Sequence, residues 1–175
     1  MKKILIFLLI TSFAFSIDFI VGFGYGALEA KTEKDSTTFK STNARDIHYK
    51  AGLGFEKSRI LVTINNPELN DNEELTVQTL SWQAVDQPDP YIKGFFGLAV
   101  GKFDYTNTPL AIKESKDVYG LELGIMLLEQ GNWFYEHSEM EFGYRYFTTK
   151  GLSQEEENFK LNSFSNYYVG LNLKF

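Results

Sequence analysis

No cysteine occurs anywhere in this chain. Disulfide staples, thiolate metal centres, thiol nucleophiles and a thiol for lipid attachment are therefore all excluded. Positive charge is also scarce. The 175 residues carry 17 Lys and Arg against 23 Asp and Glu, a net charge of −6. Without the two lysines near the N-terminus, the balance is 15 against 23, or −8. An acidic chain with no basic stripe has no means of neutralising phosphates along a nucleic acid, so that class of partner is set aside. Beyond the N-terminal run, no apolar stretch reaches the roughly 20 residues that a membrane helix needs. A membrane role would have to come from strands, because only helices and closed barrels satisfy the backbone in lipid. The acids Glu68, Asp71, Glu73 and Glu74 lack the ordered spacing of a calcium loop and read as solvated. No metal, cofactor or catalytic centre is expected.

The N-terminus is a three-part pattern: Lys2-Lys3, an apolar run over 4–15, and the small-residue site Ala14-Phe15-Ser16. The run is too short to span a bilayer and reads as a secretory signal. Residues 1–16 are thus expected to be removed, leaving one domain over 17–175.

Within that domain, apolar and polar residues alternate with the two-residue period of a strand. The last ten residues are the clearest case. Tyr167, Val169, Leu171, Leu173 and Phe175 share one face, and Asn166, Gly170, Asn172 and Lys174 share the other, with Tyr168 the one large ring among them. A strand oily on one side and wet on the other suits a wall between lipid and a polar interior. The first strand, about 18–29, sets Phe19, Val21, Phe23, Tyr25 and Ala27 against Gly22, Gly24 and Gly26. The second sets Ile47, Tyr49, Ala51, Leu53 and Phe55 against His48, Lys50, Gly52 and Gly54, and a short third carries Ile60, Val62 and Ile64. In the fourth, Leu75 and Val77 keep one phase while Leu80, Trp82 and Ala84 take the other, which predicts a bulge near Gln78-Thr79. Gln87-Pro88-Asp89-Pro90 predicts a turn. The fifth places Ile92, Phe96, Leu98 and Val100 outward, the sixth Tyr119, Leu121, Leu123, Ile125 and Leu127, and the seventh Met140, Phe142, Tyr144 and Tyr146.

Eight strands result, joined in strict rotation by short turns (near Lys57-Ser58, 87–90 and 130–132) and long loops (31–43, 65–74, 106–117 and 148–162). The last loop carries Glu155-Glu156-Glu157, and the third holds the apolar patch Leu110-Ala111-Ile112. Rotation of this kind is the pattern of a transmembrane barrel. The fold class is therefore all-β, an eight-stranded antiparallel up-and-down transmembrane β-barrel. Eleven of the fourteen glycines fall on the polar face, where a narrow barrel needs small residues beside large ones. The aromatics also sort by height: Phe19, Phe55, Phe134 and Phe175 at the short-turn end, and Tyr25, Tyr49, Tyr119, Tyr146 and Tyr167 toward the long-loop end, as interfacial girdles would.

These residues resemble the small eight-stranded outer-membrane barrels of Gram-negative bacteria, the OmpA/OmpX-like and opacity-protein-like group. The resemblance covers 17–175 and is to the barrel portion of that group alone. It is most specific at the terminal strand, and Met140-Glu141-Phe142-Gly143-Tyr144-Arg145-Tyr146 is similar to inner strands of such barrels. The resemblance implies the outer membrane as location, with its lipid and lipopolysaccharide as surroundings. It also implies a monomer, and a terminal row (Tyr167, Val169, Leu171, Leu173, Phe175) read by the barrel-assembly machinery. The role it implies is structural or surface-directed, through extracellular loops that support envelope integrity or adhesion-like contacts.

The inward face collects Lys50, Glu122, Glu139, Glu141 and Arg145, with His48 and Lys93 as further candidates. Buried charges must be paired and hydrogen-bonded, so an ion-pair plug is expected. A narrow pore is the alternative, although eight strands leave little lumen. A lipid A-modifying enzyme is a second alternative, suggested by His137-Ser138-Glu139. In a strand, however, His137 and Ser138 point to opposite faces, and His48 is expected at the opposite strand end, so a nucleophile–base pair is missing.

Overall fold

A computed structural model describes residues 17–34, 38–70, 73–108, 112–128, 137–149 and 160–175. The expected signal segment, Phe134, Leu110-Ala111 and Glu155-Glu156-Glu157 lie outside the described residues. Eight strands follow in chain order: β1 (Asp18–Lys34), β2 (Thr38–Phe55), β3 (Ser58–Asn70), β4 (Glu73–Asp89), β5 (Ile92–Asn107), β6 (Ile112–Leu128), β7 (Ser138–Thr148) and β8 (Lys160–Lys174). Each pairs antiparallel with its neighbours in sequence, and β8 pairs with β1 to close the barrel. At the seam, Phe19 and Phe175 exchange backbone hydrogen bonds of 3.0 and 2.9 Å. Closure leaves no sheet edge inside the membrane, which is what lipid demands of a strand protein.

The alternation sorts as the sequence dictates. Along β1, Phe19, Val21, Phe23 and Tyr25 are exposed, whereas Ile20, Gly22, Gly24 and Gly26 are buried. The same holds for Leu121, Leu123 and Ile125 against Glu122 and Met126 on β6. In water, so continuous an apolar exterior would be an aggregation hazard; in a bilayer it is the surface that meets the solvent. Phe19, Phe55 and Phe175 stand outward at the tight-turn end, and Tyr25, Tyr49, Tyr119, Tyr146 and Tyr167 stand outward nearer the other end. Within the tyrosine band, the Tyr144 and Tyr167 rings pack at 4.6 Å between centroids.

Inside, glycine on one strand makes room for a large ring on the next. Gly143 lies opposite Tyr168, Gly24 opposite His48 and Gly120 opposite Phe147. A Cβ added at any of the three would collide with that ring.

Several expectations are corrected. Three of the four long loops are largely paired strand: Lys31 pairs with Ser41 and Lys34 with Thr38, Glu68 with Glu74, and Thr106 with Lys113. These strands run past the apolar belt, and polar alternation beyond it carried no hydrophobic signal. No bulge occurs at Gln78-Thr79, where the ladders of β4 to β3 and to β5 are continuous. Leu75 and Val77 instead face inward, into an apolar layer of the interior, while Leu80 and Trp82 face lipid. β4 continues to Asp89, with its irregularity between Asp86 and Asp89, next to Pro88, which has no N–H to give to a ladder. The turn falls at Pro90-Tyr91. The tight turn expected at 130–132 lies outside the described residues, between the end of β6 at Leu128 and the start of β7 at Ser138.

The two faces predict different responses to the same substitution. Leu123→Arg on the lipid face should cost about 2–4 kcal/mol near the midplane through desolvation of the charge. Gly120→Arg should destabilise by crowding Phe147 and the Tyr146 carbonyl. Urea unfolding in lipid vesicles compares them, and Gly120→Leu separates the causes: bulk without charge should still destabilise there, while Leu123→Ile should be nearly neutral.

Candidate functional site

The interior has three levels. At its centre, Glu141 of β7 is fully buried and serves as the hub. Its Oε1 accepts from Lys50 Nζ at 2.8 Å and from the Tyr168 hydroxyl. Its Oε2 accepts from Arg59 Nη2 at 2.8 Å and from Asn172 Nδ2 at 2.7 Å. Four donors from β2, β3 and β8 thus converge on one carboxylate. Charge-assisted bonds of this kind are the strong ones, and each gains further from the low local dielectric. The network spreads through Arg59 Nε to Gln83, and through Gln83 Nε2 to Glu122. Arg145 Nε lies 3.2 Å from Glu122 Oε1, and its guanidinium stacks 4.0 Å over the Tyr168 ring. Lys50 also lies over that ring, at 5.2 Å.

Above this hub, Asp46 Oδ2 accepts from Asn65 Nδ2 at 2.7 Å and from Asn166 Nδ2, with His48 Nδ1 3.5 Å away. His48 meets Tyr168 edge-on at 4.8 Å. Asp46, Glu122 and Glu141 are therefore matched by Lys50, Arg59 and Arg145, three charges of each sign, all at most 2 % exposed. Balance and hydrogen bonding together are what such burial requires.

Toward the hairpin tips, the interior turns apolar. Leu28, Leu75, Val77, Phe103, Phe147 and Phe164 form a buried layer, with the Phe147 and Phe164 rings stacked at 4.8 Å. At the tight-turn end the interior instead opens into a cavity of about 240 Å³. There Glu139 Oε1 is held by Lys93 Nζ at 3.2 Å and by Lys174 Nζ.

The structure brings Lys50, Glu141, Glu122 and Arg145 into one central network and sets Glu139 apart, with Lys93 and Lys174, at the cavity. His48 sits in mid-barrel against Tyr168, not at a far strand end. Sequence reasoning missed Arg59 and Asp46. Arg59 falls between the turn expected near Lys57-Ser58 and the outward Ile60, and Asp46 just before the outward Ile47, yet alternation with Ile60 and Ile47 turns both inward. Tyr168, set among the polar residues of β8, is the ring on which three network members pack. Of the terminal row, Tyr167, Val169 and Phe175 are exposed, while Leu171 and Leu173 are partly covered. Ser138 opens β7 and His137 sits in the turn before it. Among the described residues, no group of three or more His, Cys, Asp or Glu could hold a metal ion.

A closed eight-stranded antiparallel barrel with an apolar exterior and a polar, filled centre defines the class: a small β-barrel of the transmembrane kind. Solved structures agree at the level of the fold. The chain is similar to Neisserial surface protein A (NspA), with a TM-score of 0.65 and 15% identity over 90% of this chain and 97% of that one. It is similar to OprH of P. aeruginosa, with a TM-score of 0.55 and 22% identity over 90% and 99%. The N-terminal barrel domain of Pseudomonas aeruginosa OprF gives a TM-score of 0.58 at 7% identity over 87% and 97%. The likeness is one of fold; the apolar exterior of this barrel is by its own chemistry a surface for a bilayer. No family model matches the chain, and no curated protein matches it.

The hub predicts an asymmetry between breaking and replacing it. Glu141→Ala leaves Lys50 and Arg59 buried together without an anion and should cost about 3–5 kcal/mol in urea unfolding. Lys50→Met combined with Glu141→Gln should cost much less, because one charge of each sign leaves together. Equal losses in the two variants would show that Glu141 does not act as the charge hub.

Proposed function

We propose that this protein is a non-conducting barrel of the outer membrane that acts through its outer surface and hairpin tips, in envelope integrity or adhesion-like contacts. One observation carries this reading: the middle of the barrel is filled, with a balanced charge network and an apolar layer around Phe103, Phe147 and Phe164 above it. An ion would have to shed its hydration against those rings, and dry constrictions of this kind block conduction. The narrow-pore alternative is correspondingly disfavoured. The reading as a non-enzyme rests on the separation of His48, enclosed at mid-barrel, from Ser138 at the tight-turn end.

The surroundings proposed are outer-membrane lipid and lipopolysaccharide, met by the tyrosine band and by the exposed Arg45 and Lys102 just beyond it. The outward row of β8, with its closing pairing to β1, is proposed as the strand that the assembly machinery reads. Residues 1–16 are proposed as the export signal, and the barrel as a monomer.

Planar-bilayer recording tests the central reading. The wild-type barrel should give no discrete conductance, and the triple variant Phe103→Ala, Phe147→Ala, Phe164→Ala should give steps, because the dry layer becomes wettable. Reproducible wild-type channels would overturn it.

A further inference from the structure

At the tyrosine band the two faces of the strands exchange character. On β2, Ala44 points inward and Arg45 outward, but two residues down Asp46 points inward and Ile47 outward. β4 turns from inward Val77 and outward Gln78 to inward Thr79 and outward Leu80. β7 turns from Phe147 and Thr148 to Arg145 and Tyr146, and β8 from Phe164 and Ser165 to Asn166 and Tyr167. The register sets these crossovers side by side, since Leu28 pairs with both Ala44 and Asn166, Val77 with Phe103, and Phe147 with Phe164. Below the crossover the barrel is oily outside and polar inside. Above it the order is reversed, with a buried core of Leu28, Val77, Phe103, Phe147 and Phe164 behind the exposed Arg45, Gln78, Lys102 and Asp104. That second arrangement is the one a barrel adopts in water, so the upper core stands clear of the hydrocarbon.

Two solvents therefore hold the two parts. The upper core is stabilised by the water around it, through burial of apolar surface. The wall below is held by the cost of leaving a backbone group unpaired in lipid. Strands above the crossover can trade their ladder bonds for bonds to water, and strands below it cannot. Opening that begins at the outer ends must stop at the crossover. The residues just beneath favour it. Asp46, Asn65 and Asn166 are buried, and one side-chain oxygen of each has no hydrogen-bond partner among the described residues. Water reaching that level satisfies them. We propose that the upper core is a lid that opens as one unit, as far as the crossover and no further, and admits water to Asp46, Asn65 and Asn166. The closed form predominates, so the barrel as a whole stays sealed. The inference rests on the reading of the barrel as membrane-spanning, with water above the tyrosine band.

The test is amide hydrogen exchange, followed by ¹H–¹⁵N spectra, of the mature barrel in nanodiscs of dimyristoyl phosphatidylcholine. The amides of Leu28, Val77, Phe103 and Phe164 should exchange through one shared opening, about 100-fold faster than those of Val21, Leu98, Leu123 and Val169 in the belt. Low urea should speed the first group together and leave the second unchanged. Phe103→Ala should speed the first group by at least about tenfold, again without effect on the belt, and the milder Phe103→Leu should do so less. Equal protection of the two groups, upper amides that respond to urea one by one, or an equal effect of Phe103→Ala on the belt would overturn the lid. Unprotected belt amides would instead overturn the membrane-spanning reading on which it rests. Should Phe103→Ala fail to fold, the wild-type pattern and Phe103→Leu decide.

Discussion

The constraint on which this structure rests is that a strand in lipid cannot leave a backbone N–H or C=O unpaired. β8 must therefore find β1, and the Phe19–Phe175 hydrogen bonds complete that closure. Closure turns one face of every strand toward hydrocarbon and the other into a narrow interior. What is polar on these strands is forced inside and has to be satisfied there. The exterior row Leu121, Leu123, Ile125 and the buried Glu122 between its members are consequences of the same geometry.

Filling the interior then becomes a problem of size and charge. Glycine opposite a large ring solves the first, as where Gly143 faces Tyr168. Convergence on Glu141 solves the second, since its two oxygens accept from Lys50, Arg59, Tyr168 and Asn172. The Tyr168 ring in turn carries Arg145, Lys50 and His48. Toward the hairpin tips, apolar side chains replace this network, so the described interior is apolar on that side and opens into a polar-lined cavity on the other.

Most of the architecture was legible in the sequence, because hydrocarbon on one side imposes strict alternation. Strand number, the outward rows and the inward placement of Lys50, Glu122, Glu139, Glu141 and Arg145 all follow from that period. Legibility failed where the period no longer separates oily from wet. Beyond the tyrosine band both faces of a strand can be polar, so Lys31 to Lys34 and their partners on β2 looked like loop. Within the apolar layer both faces can be apolar, so Val77 and Leu80 looked like a slip of register. Arg59 and Asp46 fell at presumed boundaries, where a shift of one residue decides whether a side chain is counted as strand at all. Pairing geometry, by contrast, was not readable: that Lys50 and Arg59 share Glu141 depends on the stagger of β2, β3 and β7 around the barrel.

Cell fractionation followed by gel electrophoresis, with and without boiling, tests the central claim most directly. The account predicts that the protein is recovered in the outer-membrane fraction and that its mobility changes on boiling, as a closed barrel opens only when heated. Recovery in the soluble periplasm, or a mobility indifferent to heat, would contradict it.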